Sequence, residues 1–359
     1  MTEVKTAEDS FIGRLKENKQ AIDNDIAQYV DYLKASTKEQ YSDGSQLALD
    51  AYCSILTRGG KRLRGALVME GYKMCGGTNQ AMILQAARAI EMIHAYLLVI
   101  DDIQDRSLTR RGGPTAHVML HKVFKDEHLA ETMATNGALL GCHAAMMILA
   151  NLDAPAELRS NVLSITNRTL VVTVHGQIAD PLLQTSQTVS EPDILAMQDW
   201  KTATYTFLNP LHVGMVLAGT DCHATDGITP YAHALGQAFQ ITDDIIGTFG
   251  DAAKTGKGTM DDIREGKQTL LVHYALKHGS PQDAQFLRQQ LGNPKLTKAD
   301  FTKCQQILET SGSLLYAKQQ ARHYAEQAIA SLPTENSLWS KEGAKFLHDM
   351  ALFVQERSA

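Results

Sequence analysis

Two groups of aspartates, each at the end of a long apolar segment, constrain this chain more than any other feature. The first segment, IHAYLLVIDDIQD, ends in Asp101, Asp102 and Asp105, and the second, LGQAFQITDDIIG, carries Asp243 and Asp244. Carboxylates beside a buried apolar segment are costly unless cations neutralise them. Both segments have the pattern of helices. If the two helices face each other, they make a site for a hard divalent cation such as Mg²⁺ together with a phosphate group.

Composition indicates one large globular unit. The chain has 359 residues and is 44% hydrophobic, which is enough for an extensive core. Proline and glycine are scattered and form no linker, so we expect a single domain over residues 1–359. The net charge of −6 is spread along the chain and predicts no nucleic-acid partner.

Cysteine usage and apolar segments predict a cytoplasmic protein without a membrane span. None of the five cysteines forms a CxxC pair, which favours buried thiols in a reducing compartment over disulfides or zinc. The first residues, MTEVKTAEDS, lack the apolar core of a signal peptide. The longest apolar stretches, near residues 89–100 and 138–152, are too short to span a bilayer and are interpreted as core helices.

Helical periodicity dominates the chain and predicts an all-α fold of about a dozen helices without a sheet. The β-branched segment VLSITNRTLVVTVHG is interpreted as a buried helix because of its context. Predicted helix starts are Ser190, Thr297 and Ser340. Predicted helix ends are Gly76-Gly77, Gly112-Gly113, Gly279 and Pro333.

One polar, glycine-containing stretch interrupts this pattern directly after the second acid group. It is GTFGDAAKTGKGTMDDIREGKQT, residues 247–269. We interpret it as a flap over the site, and a solvated loop is the alternative.

Helical spacing places chemically distinct side chains on one face of each acidic segment. In the first segment, that face carries His94, Leu97 or Leu98, Asp101 and Asp105. In the second, it carries Gly236, Gln240, Asp243 or Asp244, and Gly247. We interpret the small residues of the second face as leaving room for a ligand. One DDxxD-like motif alone is more often a solvated helix end, but two after apolar runs favour a metal site.

Basic residues near the acids predict phosphate binding. They are Lys61, Arg64, Arg110, Arg111, Lys201, Lys257 and Lys267. Arg58 and Arg62 are interpreted as surface charges. The chain has no GxxxxGK[ST] loop and no strand-borne GxGxxG motif, so a nucleotide is not the expected substrate. The apolar residues around the acids instead favour a diphosphate with a hydrocarbon tail.

Six motifs occur in an order that resembles a known enzyme family. They are GGKRLRG, DDIQDRSLTRRGGPTAH, HGQIAD, KTATYTFLNPL, FQITDDIIGTFGD and TGKGTMDDIREGKQTLL. The set resembles trans-isoprenyl diphosphate synthases, most of all those that make geranylgeranyl or farnesyl diphosphate. This resemblance implies an all-α, single-domain bundle around a central active-site cavity. It also implies Mg²⁺-dependent, head-to-tail condensation of an allylic diphosphate with isopentenyl diphosphate, and a homodimer.

The resemblance implies a role for each matching residue. Asp101 and Asp105 would bind two Mg²⁺ ions, and Asp243 would bind a third. The allylic diphosphate would be held by Arg110, Lys201 and Lys257. Isopentenyl diphosphate would be held by Lys61, Arg64, His94 and Arg111. Thr202 and Gln240 would lie beside the developing cation and, with Lys201, are the predicted catalytic residues. Supporting positions would be Asp102, Gln177, Asp180, Asp244, Asp262 and the flap residue Lys267.

Three positions depart from the family pattern. Gly247 stands where many members have the last aspartate of the second motif, and we expect activity to survive because Asp243 is the predicted ligand. Gly65 replaces a usual proline and is expected to loosen the loop that holds Lys61. Cys142 replaces a usual aspartate and puts a structural polar contact in doubt.

The resemblance implies that product length depends on bulky residues four and five positions before Asp101, which are Leu97 and Tyr96 here. Helix geometry puts Leu97 about 40° and Tyr96 about 140° from Asp101 around the axis, so Leu97 is the more direct floor of the tunnel. The first acidic motif lacks the two-residue insertion of bacterial farnesyl-type enzymes, and together with DRSLTRRG and the Gly247 pattern this resemblance favours geranylgeranyl diphosphate. The alternatives are a longer-chain synthase for quinone side chains, a non-catalytic subunit of a heteromeric synthase, and a terpene cyclase.

Overall fold

A computed structural model of the chain describes residues 11–186, 188–219, 227–250, 259–332 and 339–356. Nearly all regular structure in these residues is helical, which confirms the predicted all-α fold. The chain divides into two compact units. The described residues of unit 1 fall within Met1–Thr166, Pro210–Thr225 and Ser337–Phe346, and those of unit 2 within Asn167–Asn209, Asp226–Asn336 and Leu347–Ala359. The single domain over residues 1–359 stays a prediction.

The helices follow one another with short connections. The first are α1 (Phe11–Gln40), α2 (Asp43–Thr57), α3 (Leu63–Met74) and α4 (Gln80–Gln104). After a hairpin of β1 (Thr109–Arg110) and β2 (Gly113–Pro114) come α5 (Ala116–Phe124), α6 (Glu127–Ala150), α7 (Ala156–Thr185) and α8 (Glu191–Gln198). A π-helix (Asp199–Leu208) and α9 (Asn209–Leu217) follow. The remaining helices are α10 (Thr229–Phe249), α11 (Asp261–Glu265), α12 (Leu270–His278), α13 (Pro281–Gln290), α14 (Lys298–Thr310), α15 (Ser313–Ser331) and α16 (Lys341–Glu356).

The three predicted helix starts are confirmed by their capping contacts. The Ser190 hydroxyl accepts from the Asp193 amide and the Asp193 carboxylate accepts from the Ser190 amide, which is a capping box. Thr297 caps α14 through one contact, since its hydroxyl accepts from the amide of Asp300, the third residue of that helix. The Ser340 hydroxyl accepts from the Gly343 amide at 3.1 Å and opens α16.

Unit 1 is built around α4, which packs against α3 and α6, while α2 packs against α6. Tyr52 on α2 is fully buried, and its hydroxyl donates to the Met92 carbonyl of α4 at 2.8 Å. A Cβ on Gly141 of α6 would lie 2.1 Å from the Tyr52 ring. The glycine therefore lets α6 pack closely on the helix pair that leads to the first acid group.

Unit 2 is built around α10, which packs against α15 and the π-helix. Ile241 and Ile245 of α10 belong to its buried core. A Cβ on Gly236 would lie 2.1 Å from the Ala203 Cβ, so this glycine allows the π-helix to approach α10. The segment that carries Lys201 and Thr202 is thereby fixed against the helix that carries the second acid group.

Two structural predictions were wrong. The chain does form a sheet, a two-stranded antiparallel hairpin in which Arg110 pairs with Gly113, and the predicted helix end at Gly112 is part of its turn. The β-branched segment within α7 is helical as predicted, but Val171 and Val174 are 59% and 46% exposed. Its context did not distinguish a buried helix from one with an exposed apolar face.

Helices α4 and α6 are long and apolar enough to cross a membrane by length and composition. The prediction that the apolar stretches are too short to span a bilayer therefore underestimated the length of these two helices. Core helices of soluble proteins pass the same test, and two such helices are weak evidence for a membrane span. The most apolar part of α4 is 61% buried, in agreement with a core helix. The corresponding part of α6 is only 39% buried.

Candidate active site

The first acid group lies where α4 ends. The Arg106 amide donates to the Ile103 carbonyl, the Ser107 amide donates to the Asp102 carbonyl, and Arg106 has a left-handed φ of 53°. These contacts are a Schellman motif, which closes the helix directly after Asp105. The helix end therefore presents the aspartates at the start of an irregular segment instead of within a continuous helix.

The two adjacent aspartates of this group have different surroundings. Asp102 is fully buried, and its carboxylate accepts two contacts from Arg110, one from Nε at 2.8 Å. Asp101 is 20% exposed and reaches Arg110 only at 3.5 Å. Burial alone would lower the pKa of Arg110, but the carboxylates, Asp102 foremost, raise it above its ordinary value. Asp102 thus holds Arg110, while Asp101 and the half-buried Asp105 are the more accessible carboxylates.

The second acid group repeats this division in unit 2. Asp244 is buried, and its two oxygens accept from Gln198 at 2.9 Å and from Gln240 at 2.7 Å. The Thr202 hydroxyl donates to the Gln240 side-chain oxygen at 2.8 Å. Burial, and then the charge of Asp262, raises the pKa of Asp244 well above its ordinary value. Asp243 is only half-buried and is the more accessible of the pair.

The donor chemistry of both groups fits magnesium. Carboxylate oxygens are hard ligands, and Mg²⁺ typically binds through one or two of them together with water and substrate phosphates. Among the described residues, no three His, Cys, Asp or Glu side chains converge as a complete protein cage. Asp101 and Asp105, spaced one helical turn apart in unit 1, therefore suit an ion whose remaining ligands are water and phosphate, and Asp243 offers one carboxylate of the same kind in unit 2.

A group of basic side chains, four of them cations and one a histidine, lies in unit 1 beside the first acid group and is here called the cationic cluster. It comprises Lys61, Arg64, His94, Arg110 and Arg111. Nη1 of Arg64 lies 3.2 Å from Nε2 of His94, and because arginine only donates, that nitrogen of His94 accepts. Burial, and then Arg64 and Arg111, lowers the pKa of His94 well below its ordinary value. His94 is therefore neutral, with its proton on Nδ1.

The two arginines of the hairpin, Arg110 and Arg111, contact different parts of unit 1. Arg111 and Gly112 form its two-residue turn with φ angles of 51° and 74°, as a type I′ turn requires. Arg110 reaches the buried carboxylate of Asp102, whereas Nη1 of Arg111 donates to the Gly59 carbonyl of the α2–α3 loop at 2.5 Å. Burial, and then Arg62, lowers the pKa of Arg111 to about 10. Such crowding of positive charge favours a bound anion.

In unit 2, Lys201 lies in the π-helix and forms an ion pair with Asp180 of α7. A Cβ on Gly176 would lie 2.3 Å from the Lys201 nitrogen, so the two helices are in close backbone contact here. The predicted supporting position Asp180 is thus brought to Lys201. π-Helical geometry is rare and occurs frequently at functional sites, and the sequence did not predict this ten-residue segment.

The interpretation of Arg62 and Arg58 as surface charges was wrong. The Arg62 side chain is 2% exposed and pairs with Asp23 and Glu91. Glu91 also accepts from the Gly65 amide at 2.9 Å and so caps α3. Arg58 is half-buried and binds the hairpin. The available signal was Glu91 itself, because an acid inside an apolar helix requires a buried partner.

Two expectations about glycines were also wrong. The space beside Gly236 and Gly247 is not left for a ligand. Ala203 fills the first space, and the Asp262 carboxylate, 2.5 Å from where a Cβ on Gly247 would be, fills the second. Gly65 does not loosen the loop, because it lies in the first turn of α3, where a Cβ would lie 2.7 Å from Ile22.

The residues predicted to set product length lie on α4 in unit 1. Tyr96 and Leu97 are both half-buried. Burial, and then Cys142 of α6, raises the pKa of Tyr96. Cys142 is buried, and burial raises its pKa to about 11, so it is a neutral thiol in place of the usual aspartate.

The predicted flap is described only in part. Lys257 lies outside the described residues, as does the rest of residues 251–258. The part after it contains the short helix α11, and Nζ of Lys267 lies 3.0 Å from the Glu265 carboxylate. The prediction that the two acid groups serve one substrate concerns both units and stays a prediction.

Comparison with known proteins agrees with these features. Residues 45–308 match the model of the polyprenyl synthetase family. The chain is 31% identical over 313 residues to a geranylgeranyl diphosphate synthase of Saccharolobus solfataricus, covering 86% of this chain and 90% of that protein. It is 32% identical over 277 residues to a geranylfarnesyl diphosphate synthase of Aeropyrum pernix, covering 76% and 83%. The chain is also similar to a solved structure, a geranylgeranyl pyrophosphate synthase of Corynebacterium glutamicum complexed with isoprenyl diphosphate and magnesium. The two are 27% identical and superpose with a TM-score of 0.88 over 96% of this chain and 99% of that one.

Proposed function

The chain belongs to the polyprenyl synthetase family and is therefore a transferase, and from that premise we propose that it condenses an allylic diphosphate with isopentenyl diphosphate in a Mg²⁺-dependent reaction. One observation carries the proposal. In unit 1, an accessible carboxylate pair at the end of α4 lies beside the cationic cluster, whose Arg110 binds the buried Asp102 at 2.8 Å and lies 3.5 Å from the accessible Asp101. Such an arrangement suits a metal-bound diphosphate.

In unit 1, Asp101 and Asp105 would hold Mg²⁺, and Arg110 would hold the allylic diphosphate. The other cationic residues would hold the diphosphate of isopentenyl diphosphate; they are Lys61, Arg64, His94 and Arg111. The contact between Arg64 and His94 supports this division, because a neutral imidazole beside a guanidinium makes both available to one anion.

In unit 2, Asp243 would hold Mg²⁺ and Lys201 would hold diphosphate. Thr202 donates its proton to Gln240, so the lone pairs of its oxygen are available to an adjacent positive charge. Gln240 is fixed in turn by its donation to Asp244. Lys257 and Lys267 are proposed diphosphate ligands from the flap.

The reaction breaks the carbon–oxygen bond of the allylic diphosphate and forms a carbon–carbon bond to isopentenyl diphosphate, with loss of a proton and of pyrophosphate. Bound Mg²⁺ supplies positive charge that makes the diphosphate a better leaving group. The proposed diphosphate ligands of each unit would donate hydrogen bonds to the charge that grows on the departing oxygen atoms they hold. The cationic cluster holds the second substrate by its diphosphate, which orients its double bond.

We further propose that the product is short, with geranylgeranyl diphosphate favoured. The half-buried Tyr96 and Leu97 precede Asp101 by five and four residues, so both lie within two turns of the acid group. Bulky side chains at these positions limit the length of a chain that grows along α4. The names of the similar proteins differ in product length, so product analysis is the decisive measurement.

The purified protein should be incubated with labelled isopentenyl diphosphate and several allylic starters in Mg²⁺, and the products analysed after phosphatase treatment. We expect geranylgeraniol as the main alcohol and none from Asp101→Ala. Absence of product with every starter would contradict the proposed activity. A ladder of long-chain alcohols would contradict only the proposed length, and Tyr96→Ala should lengthen the product.

We also propose that the protein is a homodimer. Half of the large apolar side chains that the described residues expose lie on two helices. They are Leu129, Leu139, Leu140 and Met147 of α6, and Val171, Val174, Ile178 and Leu182 of α7. Each set follows helical spacing and forms one exposed stripe, which is typical of a surface covered by a second copy.

A further inference from the structure

Arg58, which follows α2 directly, binds the backbone of the β1–β2 hairpin. Its Nη1 donates to the Arg110 carbonyl at 3.1 Å and to the Pro114 carbonyl at 2.7 Å. Its Nη2 donates to the hydroxyl of Ser54, one helical turn earlier, at 2.8 Å. A single half-buried side chain therefore joins the end of α2 to both strands of the hairpin.

Arg111 makes the reciprocal connection from the hairpin to the α2–α3 loop. It donates to the Gly59 carbonyl at 2.5 Å, and its guanidinium carbon lies 2.9 Å from where a Cβ on Gly60 would be. Its left-handed φ of 51° is unfavourable for a residue with a side chain. The contacts of Arg58 on either side of this turn help to offset that strain.

The two connected segments carry most of the cationic cluster. The α2–α3 loop carries Lys61 and leads into α3 with Arg64, and the hairpin carries Arg110 and Arg111. The spacing between these two pairs of cations thus depends on how the hairpin is held against the loop. Burial is the main cause of the lowered pKa of Arg111, and repulsion from nearby arginines, Arg110 and Arg64 among them, adds to it.

Arg58 itself is not arranged to bind a ligand. Its three hydrogen bonds to oxygen all go to protein acceptors, and two of these are backbone carbonyls. A guanidinium that donates to two carbonyls of a tight hairpin fixes the backbone whatever side chains the hairpin carries.

We infer that Arg58 is a positioning residue for diphosphate binding, which holds the hairpin against the α2–α3 loop and so sets the spacing of the cationic cluster before substrate arrives. The inference rests on the proposed function, because the cluster is the proposed diphosphate site. Arg58 acts through Arg110 and Arg111 and does not touch the substrate.

The first test is a comparison of Arg58→Met with a matched control, Arg159→Met. Nη1 of Arg159 also donates to two backbone carbonyls in unit 1, those of Leu152 and Ala154, but outside the cationic cluster. Calorimetry with inorganic pyrophosphate in EDTA measures the cluster without metal. We expect Arg58→Met to raise the Kd about tenfold, Arg58→Lys to recover part of the loss, and Arg159→Met to leave the Kd unchanged.

Steady-state kinetics separates positioning from a general loss of folded enzyme. Arg58→Met should raise the KM for isopentenyl diphosphate with kcat nearly unchanged, whereas partial unfolding would lower kcat alone. Equal Kd values for Arg58→Met and Arg159→Met, or a loss confined to kcat, would overturn the inference.

A second variant tests the same contact without removing a charge, in case Arg58→Met folds poorly. A Cβ on Gly113 would lie 2.8 Å from Nη1 of Arg58, so Gly113→Ala should displace the guanidinium from its carbonyls. We expect Gly113→Ala to weaken pyrophosphate binding and to add nothing in the Arg58→Met background. Additive losses would overturn the inference.

The failure of the proposed function would look different. A wild-type protein that binds pyrophosphate with the expected dependence on Arg58, yet forms no prenyl product, refutes the activity and leaves the inference standing. A wild-type protein that does not bind pyrophosphate overturns the inference, whatever its activity.

Discussion

The adjacent aspartates of the first acid group, Asp101 and Asp102, differ in their surroundings. We therefore expect one to matter mainly for turnover and the other mainly for stability. Asp101 is 20% exposed and lies 3.5 Å from Arg110, so Asp101→Asn should lower kcat by about 100-fold or more with little change in stability. Asp102 is fully buried against Arg110, so Asp102→Asn leaves a buried guanidinium without its main partner and should cost about 3–5 kcal/mol. Turnover and urea unfolding of both variants provide the measurements. Near-normal turnover of Asp101→Asn, or wild-type stability of Asp102→Asn, would contradict this division.

His94 provides a pH-dependent prediction at the same scale. Burial and the neighbouring arginines lower its pKa in the folded state, while the unfolded chain retains a value near 6.5. The unfolded state therefore binds more protons in acid, so the stability associated with neutral His94 is complete above pH 6.5 and declines as the pH falls below it.

The free energy of unfolding should thus fall less between pH 7 and pH 5 in His94→Gln than in the wild type. Denaturant unfolding across that range measures the difference, and NMR titration of the His94 ring gives an independent check. A His94 resonance that titrates near its ordinary pKa would refute the prediction. Pyrophosphate should raise the pKa of His94, because a bound anion offsets the charge of the arginines.

At the scale of elements, the contact between the π-helix and α10 places Thr202 beside Gln240. Gly236→Ala would put a Cβ 2.1 Å from the Ala203 Cβ and 2.5 Å from its Cα, and a backbone atom cannot move aside cheaply. We expect a loss of about 1–3 kcal/mol of stability and a marked loss of turnover. Gly44→Ala in α2 is the control, because a Cβ there meets only ordinary contacts at 3.7 Å, with the side chains of Met133 and Ser42.

Helix propensity alone predicts that neither glycine-to-alanine substitution is destabilising. Alanine is favoured over glycine inside a helix by about 0.5–1 kcal/mol, so Gly44→Ala should be neutral or stabilising. Thermal unfolding and turnover of the two variants, measured together, decide the matter. If Gly236→Ala proves as stable and active as Gly44→Ala, close packing of the π-helix on α10 is not required.

The elements also show which features a single sequence could predict. Capping signals at Ser190 and Thr297 are local, so the starts of α8 and α14 were predicted correctly. The π-helix packs against Gly236 and Gly176, which are distant from it in sequence, so no local pattern predicts it. The hairpin was missed because its strands have two residues each, too few for an alternating pattern.

The same distinction holds for the site. The acid groups and most of the cations could be predicted, because their motifs are contiguous in the chain. The role of Arg58 could not, since its partners lie 52 and 56 residues away along the chain and are carbonyls, which every residue has. Gln198 was missed for a similar reason, as its donation to the buried Asp244 depends on how α8 is placed beside α10.

At the scale of the whole molecule, the exposed apolar stripe of α6 gives the last prediction. Leu139, Leu140 and Met147 are 38%, 47% and 66% exposed, on a helix whose opposite face packs against α4. If a second copy covers this stripe, Leu140→Glu places a charge in an apolar interface and should convert the dimer to a monomer. The matched control is Leu315→Glu, because Leu315 is 62% exposed on α15 and belongs to neither stripe. Sedimentation equilibrium should show a dimer for the wild type and for Leu315→Glu, and a monomer for Leu140→Glu. A monomeric wild type would contradict the proposed homodimer.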